Sequence, residues 1–195
     1  SIAQMAANVT ALPVAILVAV VVWRQANRRI YQSPIRLADT FGFNRNNTGC
    51  CLLLGLAAGL GLVLIAMALA LLSNLLIHAL GNQAEPQKLV TLIAEESAKK
   101  ENIPTLIFFV VMSVAVAPIA EEILFRGILY PAIKQIGHPR AAAIGTALLF
   151  ALFHVNLLTF ASLTAVALVL IALYEFTDNL LAPIIAHAVF NASNL

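Results

Sequence analysis

Two adjacent carboxylates, Glu121 and Glu122, stand in the apolar stretch Ala117-Pro118-Ile119-Ala120-Glu121-Glu122-Ile123-Leu124-Phe125-Arg126, and two equally apolar segments downstream carry His154 and His187. An ionisable group inside a membrane segment costs several kcal/mol unless it is paired or faces a polar cavity. Glu122 and Arg126 are four residues apart and can pair on one helix face, whereas Glu121 is turned about 100° away. The two carboxylates therefore have different tasks: Glu122 is neutralised by Arg126, and Glu121 is left to accept protons as a general base. Pro118, one turn earlier, removes a backbone hydrogen bond and can open space for water. Phe150 lies one turn before His154, and His187 and Asn191 share a face at a four-residue spacing. An imidazolium or N–H donor beside an amide N–H₂ suits an oxyanion clamp.

The elements that must position these groups follow from composition. With 62% hydrophobic and only 10% charged residues in 195, and a mean hydropathy of +0.95, the chain reads as an all-α polytopic transmembrane helix bundle. Apolar runs at about residues 4–23, 50–80, 104–131, 140–157, 160–176 and 179–195 give about six spans of roughly 20 residues each. No soluble second domain fits beside them. The second run exceeds what a bilayer needs, so it must tilt or protrude. The first has no basic flank before it and no small-residue cleavage site, which predicts a retained span and not a signal peptide.

Arg24, Arg28, Arg29, Arg36 and Arg45, opposed only by Asp39, mark the first loop as cytoplasmic, and Lys134 and Arg140 return to that side. The loop from Gly81 to Asn102 carries mixed charge and is expected outside, with a short surface helix near Leu89 to Lys99. The N-terminus is then outside. The net charge of +2 gives no footing for nucleic acid. Adjacent Cys50 and Cys51 form neither a disulfide framework nor a zinc knuckle and read as small apolar residues.

With cytoplasmic turns near Pro131 to Arg140 and near Asp178, a rise of about 1.5 Å per residue places Glu121 roughly 15 Å, His154 roughly 21 Å and His187 roughly 14 Å from that side. Three helices thus bring ionisable groups to a comparable depth. A lone intramembrane histidine is more often an interhelical hydrogen-bonder, and His78, with no polar partner at helical spacing, is left there; His138 lies in a Gly-His-Pro turn and reads as solvated. Glu121, His154, His187 and Asn191 together are harder to explain as packing, because cheaper residues would pack as well.

The order and spacing Glu121-Glu122-x-x-x-Arg126, Phe150-x-x-x-His154 and His187-x-x-x-Asn191 resemble the three motifs of the CPBP family of intramembrane proteases, also called Abi or CAAX proteases. The tract from Asp178 to His187 is similar to that family's approach to its third motif. The resemblance divides the chain into N-terminal spans (1–103) and a catalytic core (104–195). It implies an endopeptidase, integral to the membrane, multi-pass and of bacterial plasma-membrane type, acting on a membrane-associated protein or peptide of CAAX, bacteriocin or pheromone type, in contact with lipid and with a substrate that can be prenylated.

Carried over, Glu121 activates water, His154 holds and polarises it, and His187 with Asn191 stabilises the oxyanion, with Glu122, Arg126 and Phe150 in support. The resemblance leaves two chemistries open: a glutamate-dependent reaction without cofactor, preferred here, and a zinc metalloprotease with Glu121, His154 and His187 as ligands. His-Glu-x-x-His, which sets two ligands on one helix face, is absent. A non-catalytic scaffold or self-immunity protein of the same fold and a proton-coupled transporter are the alternatives; no inverted repeat of the transporter kind is visible.

Overall fold

A computed structural model describes residues 47–81 and 103–195, together with Val20, Phe41, Phe43 and Thr91. The first apolar run, the basic loop that follows it and the expected surface helix near Leu89 to Lys99 lie otherwise outside the described residues. Within them the chain is an all-α membrane helix bundle: α1 (Thr48–Ala79), α2 (Ile103–Lys134), α3 (Pro139–Phe153), α4 (Leu157–Thr177) and α5 (Leu181–Ala192). Three of these, α1, α2 and α4, are long and apolar enough to cross a membrane, and α3 and α5 are shorter apolar helices. At 32 residues, α1 is about 48 Å long and exceeds a hydrocarbon core of about 30 Å, as expected from its sequence.

The buried residues of α1 are Cys51, Gly55, Gly59, Leu62 and Ala66, recurring every three or four positions as one helix face. Gly55 and Gly59 form a small-xxx-small pair, which lets membrane helices approach until their backbones touch. A Cβ at Gly55 would stand 2.7 Å from the carbonyl oxygen of Ala182, and one at Gly59 would stand 2.7 Å from Cβ of Val189. Both contacts are on α5, so the glycines press α1 against the helix that carries His187. On the outward side of α1, Leu53, Leu60, Leu64 and Leu71 are exposed, as a lipid-facing surface requires.

One end of the bundle is fastened by polar groups. Lys134, at the end of α2, is hydrogen-bonded to both carboxylate oxygens of Glu175 near the end of α4, at 2.5 and 2.6 Å. Asn47 donates to the carbonyl of Thr177 at 3.0 Å and accepts from Asn179 at 2.9 Å, while the Asn179 carboxamide oxygen accepts from the Leu181 backbone N–H. The start of α1, the end of α4 and the start of α5 are thereby joined. The α4 helix stops at Asp178 in the left-handed conformation, which an aspartate tolerates better than most residues.

The helix expected over 140–157 ends at Phe153, so His154 caps α3 and does not lie inside the helix. Val155 follows with φ +46°. A β-branched residue in that region is strained by about 1–3 kcal/mol, and the turn it makes delivers the chain to Asn156, whose side chain caps α4 by accepting from the Thr159 backbone N–H.

Candidate active site

The helix that carries both glutamates is not uniformly α-helical. It widens into π-helical turns at Met112–Val116 and Ile123–Leu129, on either side of an α-helical segment, Ala117–Glu122. The first turn follows from Pro118, whose ring cannot accommodate the carbonyl four residues back and which has no N–H to give. The backbone N–H of Ala117 bonds the carbonyl of Met112, five residues earlier. In that register the next carbonyl, of Ser113, would take its proton from residue 118, and a proline has none. It accepts instead from Asn191 Nδ2 of α5, at 2.9 Å. A buried carbonyl must find a donor, and here proline and asparagine together settle which one.

Glu122 is fully buried, and its Oε1 accepts from Arg126 Nη1 at 2.7 Å, the i, i+4 pair expected from the sequence. The same oxygen stands 2.8 Å from His187 Nδ1. A carboxylate only accepts, so Nδ1 carries the proton and Nε2 is left as the second ring atom to act. Arg126 Nη2 donates to the Ala167 carbonyl of α4 at 3.0 Å, and its guanidinium lies 5.0 Å from the centre of the Phe150 ring. Phe150 is buried between Arg126 and the two imidazoles, with its ring centre 4.9 Å from that of His154 and 5.7 Å from that of His187.

Glu121 occupies different surroundings, as the 100° rotation demands. Its Oε2 is buried without a hydrogen-bond partner among the described residues and lies 3.8 Å from His187 Nε2, too far for a hydrogen bond and close enough for charge interaction. His154 Nδ1 is tied to the Phe150 carbonyl at 2.9 Å; since a carbonyl accepts, this ring also has Nε2 as its remaining nitrogen. Glu121, His154, His187 and Asn191 all line one cavity of about 360 Å³, within the range of sites that take small ligands or a peptide segment. The four are brought together from α2, the end of α3, and α5.

Glu122, Arg126 and Phe150 stand behind this wall and do not line it. His78 and His138 are exposed and take no part, while Cys51 is buried and Cys50 exposed.

Several residues at the site had no signal in the sequence. Ser113 enters through its backbone. Ala66, Met67 and Ala70 bring α1 into the cavity wall, and Ser162 Oγ of α4 donates to the Ala66 carbonyl at 3.3 Å. The proline five residues after Ser113 was the one available clue to that freed carbonyl.

Residues 103–193 match the family model described as Rce1-like, Type II CAAX prenyl endopeptidase Rce1-like. The segment that holds all three motifs is thus similar to this protease family, in agreement with the resemblance drawn from Glu121, His154 and His187. No curated protein and no solved structure matches the chain significantly.

A zinc reading would need Glu121, His154 and His187 as one ligand set. Among the described residues, no three His, Cys, Asp or Glu side chains are grouped closely enough to hold a metal ion. Glu121, His154 and His187 as arranged do not form such a ligand set.

Proposed function

We propose that the chain is a glutamate-dependent intramembrane endopeptidase of the CAAX type, multi-pass in a bacterial plasma membrane, cleaving a membrane-associated and prenylated peptide or protein. The observation that carries this reading is the contrast between the two glutamates: Glu122 stands behind the cavity wall with its Oε1 held by both Arg126 and His187, while Glu121 lines the cavity itself, beside two histidines and an asparagine, with no hydrogen-bond partner for its Oε2 among the described residues.

The reaction begins with water held between Glu121 and His154 Nε2. Glu121 removes one proton as the oxygen attacks the scissile carbonyl carbon, and negative charge moves to the carbonyl oxygen. His187 cannot donate from Nε2 as the neutral ring, because its single proton is held at Nδ1 by Glu122; it stabilises that oxygen as the imidazolium, with Asn191 Nδ2 as the second donor. The amide has two N–H groups, so one can remain on Ser113 while the other meets the oxyanion. Collapse of the tetrahedral intermediate breaks the C–N bond, and the proton on Glu121 passes to the departing amine. Arg126 and Glu122 do not touch substrate; they fix the tautomer and orientation of His187, as a buried carboxylate does for the histidine of a serine protease.

Comparative proteomics of membrane fractions with the wild-type chain and with Glu121→Ala tests this function. Uncleaved precursors should accumulate in the variant. An unchanged peptide profile, with a cellular phenotype that survives the substitution, would mean a scaffold of the same fold and no protease.

A further inference from the structure

The ionisable members of the cavity wall come from α2, α5 and the end of α3, all inside the family-matched segment. The α1 helix lies outside that segment and contributes only Ala66, Met67 and Ala70 among the described residues. Ala66 and Ala70 are one turn apart on a single face, and Met67 lines the cavity while remaining 65% exposed, which places it at the rim. Ala66 is held in position by the Ser162 hydrogen bond on one side, and by the close approach of α1 to α5 at Gly55 and Gly59 on the other. Two alanines on a fixed backbone leave room where any larger side chain would project into the cavity. A flexible thioether at the rim is suited to shaping an apolar opening.

We infer that α1 is the specificity wall of the site: Ala66 and Ala70 set the size limit, and Met67 the entry, for an apolar substrate side chain flanking the scissile bond. The inference rests on the protease reading above. Water and carbonyl must meet at Glu121 and His154, so the rest of this 360 Å³ space is left for the residue beside the cleaved bond. The side chains that α1 contributes, Ala66, Met67 and Ala70, carry no charge and no hydrogen-bond donor and can reward only apolar fit. Such a wall discriminates by volume, at about 10–200-fold for one methylene gained or lost. A chain with a different first half could thus keep the motifs of α2, α3 and α5 and cleave different substrates.

The test uses the full chain in phospholipid vesicles and a series of prenylated CAAX-type peptides that differ only in the flanking residue, Ala, Val, Leu or Phe. Ala70→Leu should raise the ratio of kcat/KM for the Ala over the Phe peptide by about tenfold or more, and Met67→Ala should move the same ratio the other way. Leu71→Ala, on the exposed face of the same helix, should leave it within about twofold. In parallel, a peptide with a photoreactive phenylalanine analogue at the flanking position is cross-linked to the Glu121→Gln variant and the adducts are mapped; they should fall on residues 66–70. Cleavage that requires Glu121 but whose ratio is indifferent to both substitutions would overturn the wall. Adducts on residues 66–70 with no cleavage by the wild-type chain would uphold the wall and overturn the protease reading. Absence of both would overturn both.

Discussion

Replacing Glu122 by glutamine removes one charge from a group that holds two partners. Its Oε1 accepts from Arg126 at 2.7 Å and His187 at 2.8 Å, and the side chains of Glu122, Arg126 and His187 are 0%, 1% and 2% exposed. Breaking a buried ion pair from one side costs about 3–5 kcal/mol, because the remaining charge has nowhere to go. The glutamine carbonyl can still accept from both donors as a neutral group, so the lower end, about 3 kcal/mol, is expected; this is a change of about 10²-fold in the folding equilibrium. His187 also loses the anion that orients it, so kcat should fall together with stability.

Glu121→Gln should do the opposite. It removes a charge from an oxygen with no hydrogen-bond partner among the described residues, so stability should stay within about 1 kcal/mol of wild type while cleavage is lost. Unfolding of the detergent-solubilised protein by SDS, followed by far-ultraviolet circular dichroism, reads the first quantity, and peptide cleavage the second. Adding Arg126→Gln to Glu122→Gln should destabilise by less than the sum of the single effects, since both act on one pair. Wild-type stability in Glu122→Gln, or simple additivity in the double variant, would refute the argument that this carboxylate holds a network.

Asn191→Ala should lower kcat by about 10²–10³-fold with little change in KM, the loss that follows removal of one oxyanion donor; a KM increase at constant kcat would move Asn191 into substrate binding. The double variant His187→Ala/Asn191→Ala should fall by less than the product of the single effects, because both donors serve one oxygen. Pro118→Ala restores an N–H that can take the Ser113 carbonyl from Asn191; kcat should fall by about tenfold or more while KM holds, and an unchanged rate would remove the proline from the site. Exhaustive chelation, checked by elemental analysis, should leave an active zinc-free enzyme, and loss of activity restored by stoichiometric zinc would reverse the assignment of water activation to Glu121 alone.

The parts of this site that the sequence reveals are those set by helical periodicity. Glu122 with Arg126, Glu121 on another face, and Phe150 against His154 each involve residues one turn apart or less, where the angle per residue decides the geometry. The bond from Glu122 to His187 spans 65 positions and depends on how α5 docks against α2, which no local pattern encodes. Asn191 illustrates the same limit: its face was readable, but its partner is a backbone carbonyl released by Pro118 and a π-helical turn. His154 was expected inside a helix running to 157 and caps α3 instead, because a run of apolar residues does not reveal the turn at Val155. The contribution of α1 was hidden because alanine and methionine in an apolar helix look the same whether they face lipid, a neighbour or a cavity.

The central claim is that Glu121 activates water to hydrolyse a peptide bond, and isotope incorporation tests it most directly. Purified chain in vesicles is incubated with a prenylated CAAX-type peptide in H₂¹⁸O, and the products are read by mass spectrometry. One ¹⁸O should enter the new carboxylate with the wild-type chain, and no product should form with Glu121→Gln at wild-type folding. Absence of cleavage by the wild-type chain, or labelled product formed equally by Glu121→Gln, would contradict the account.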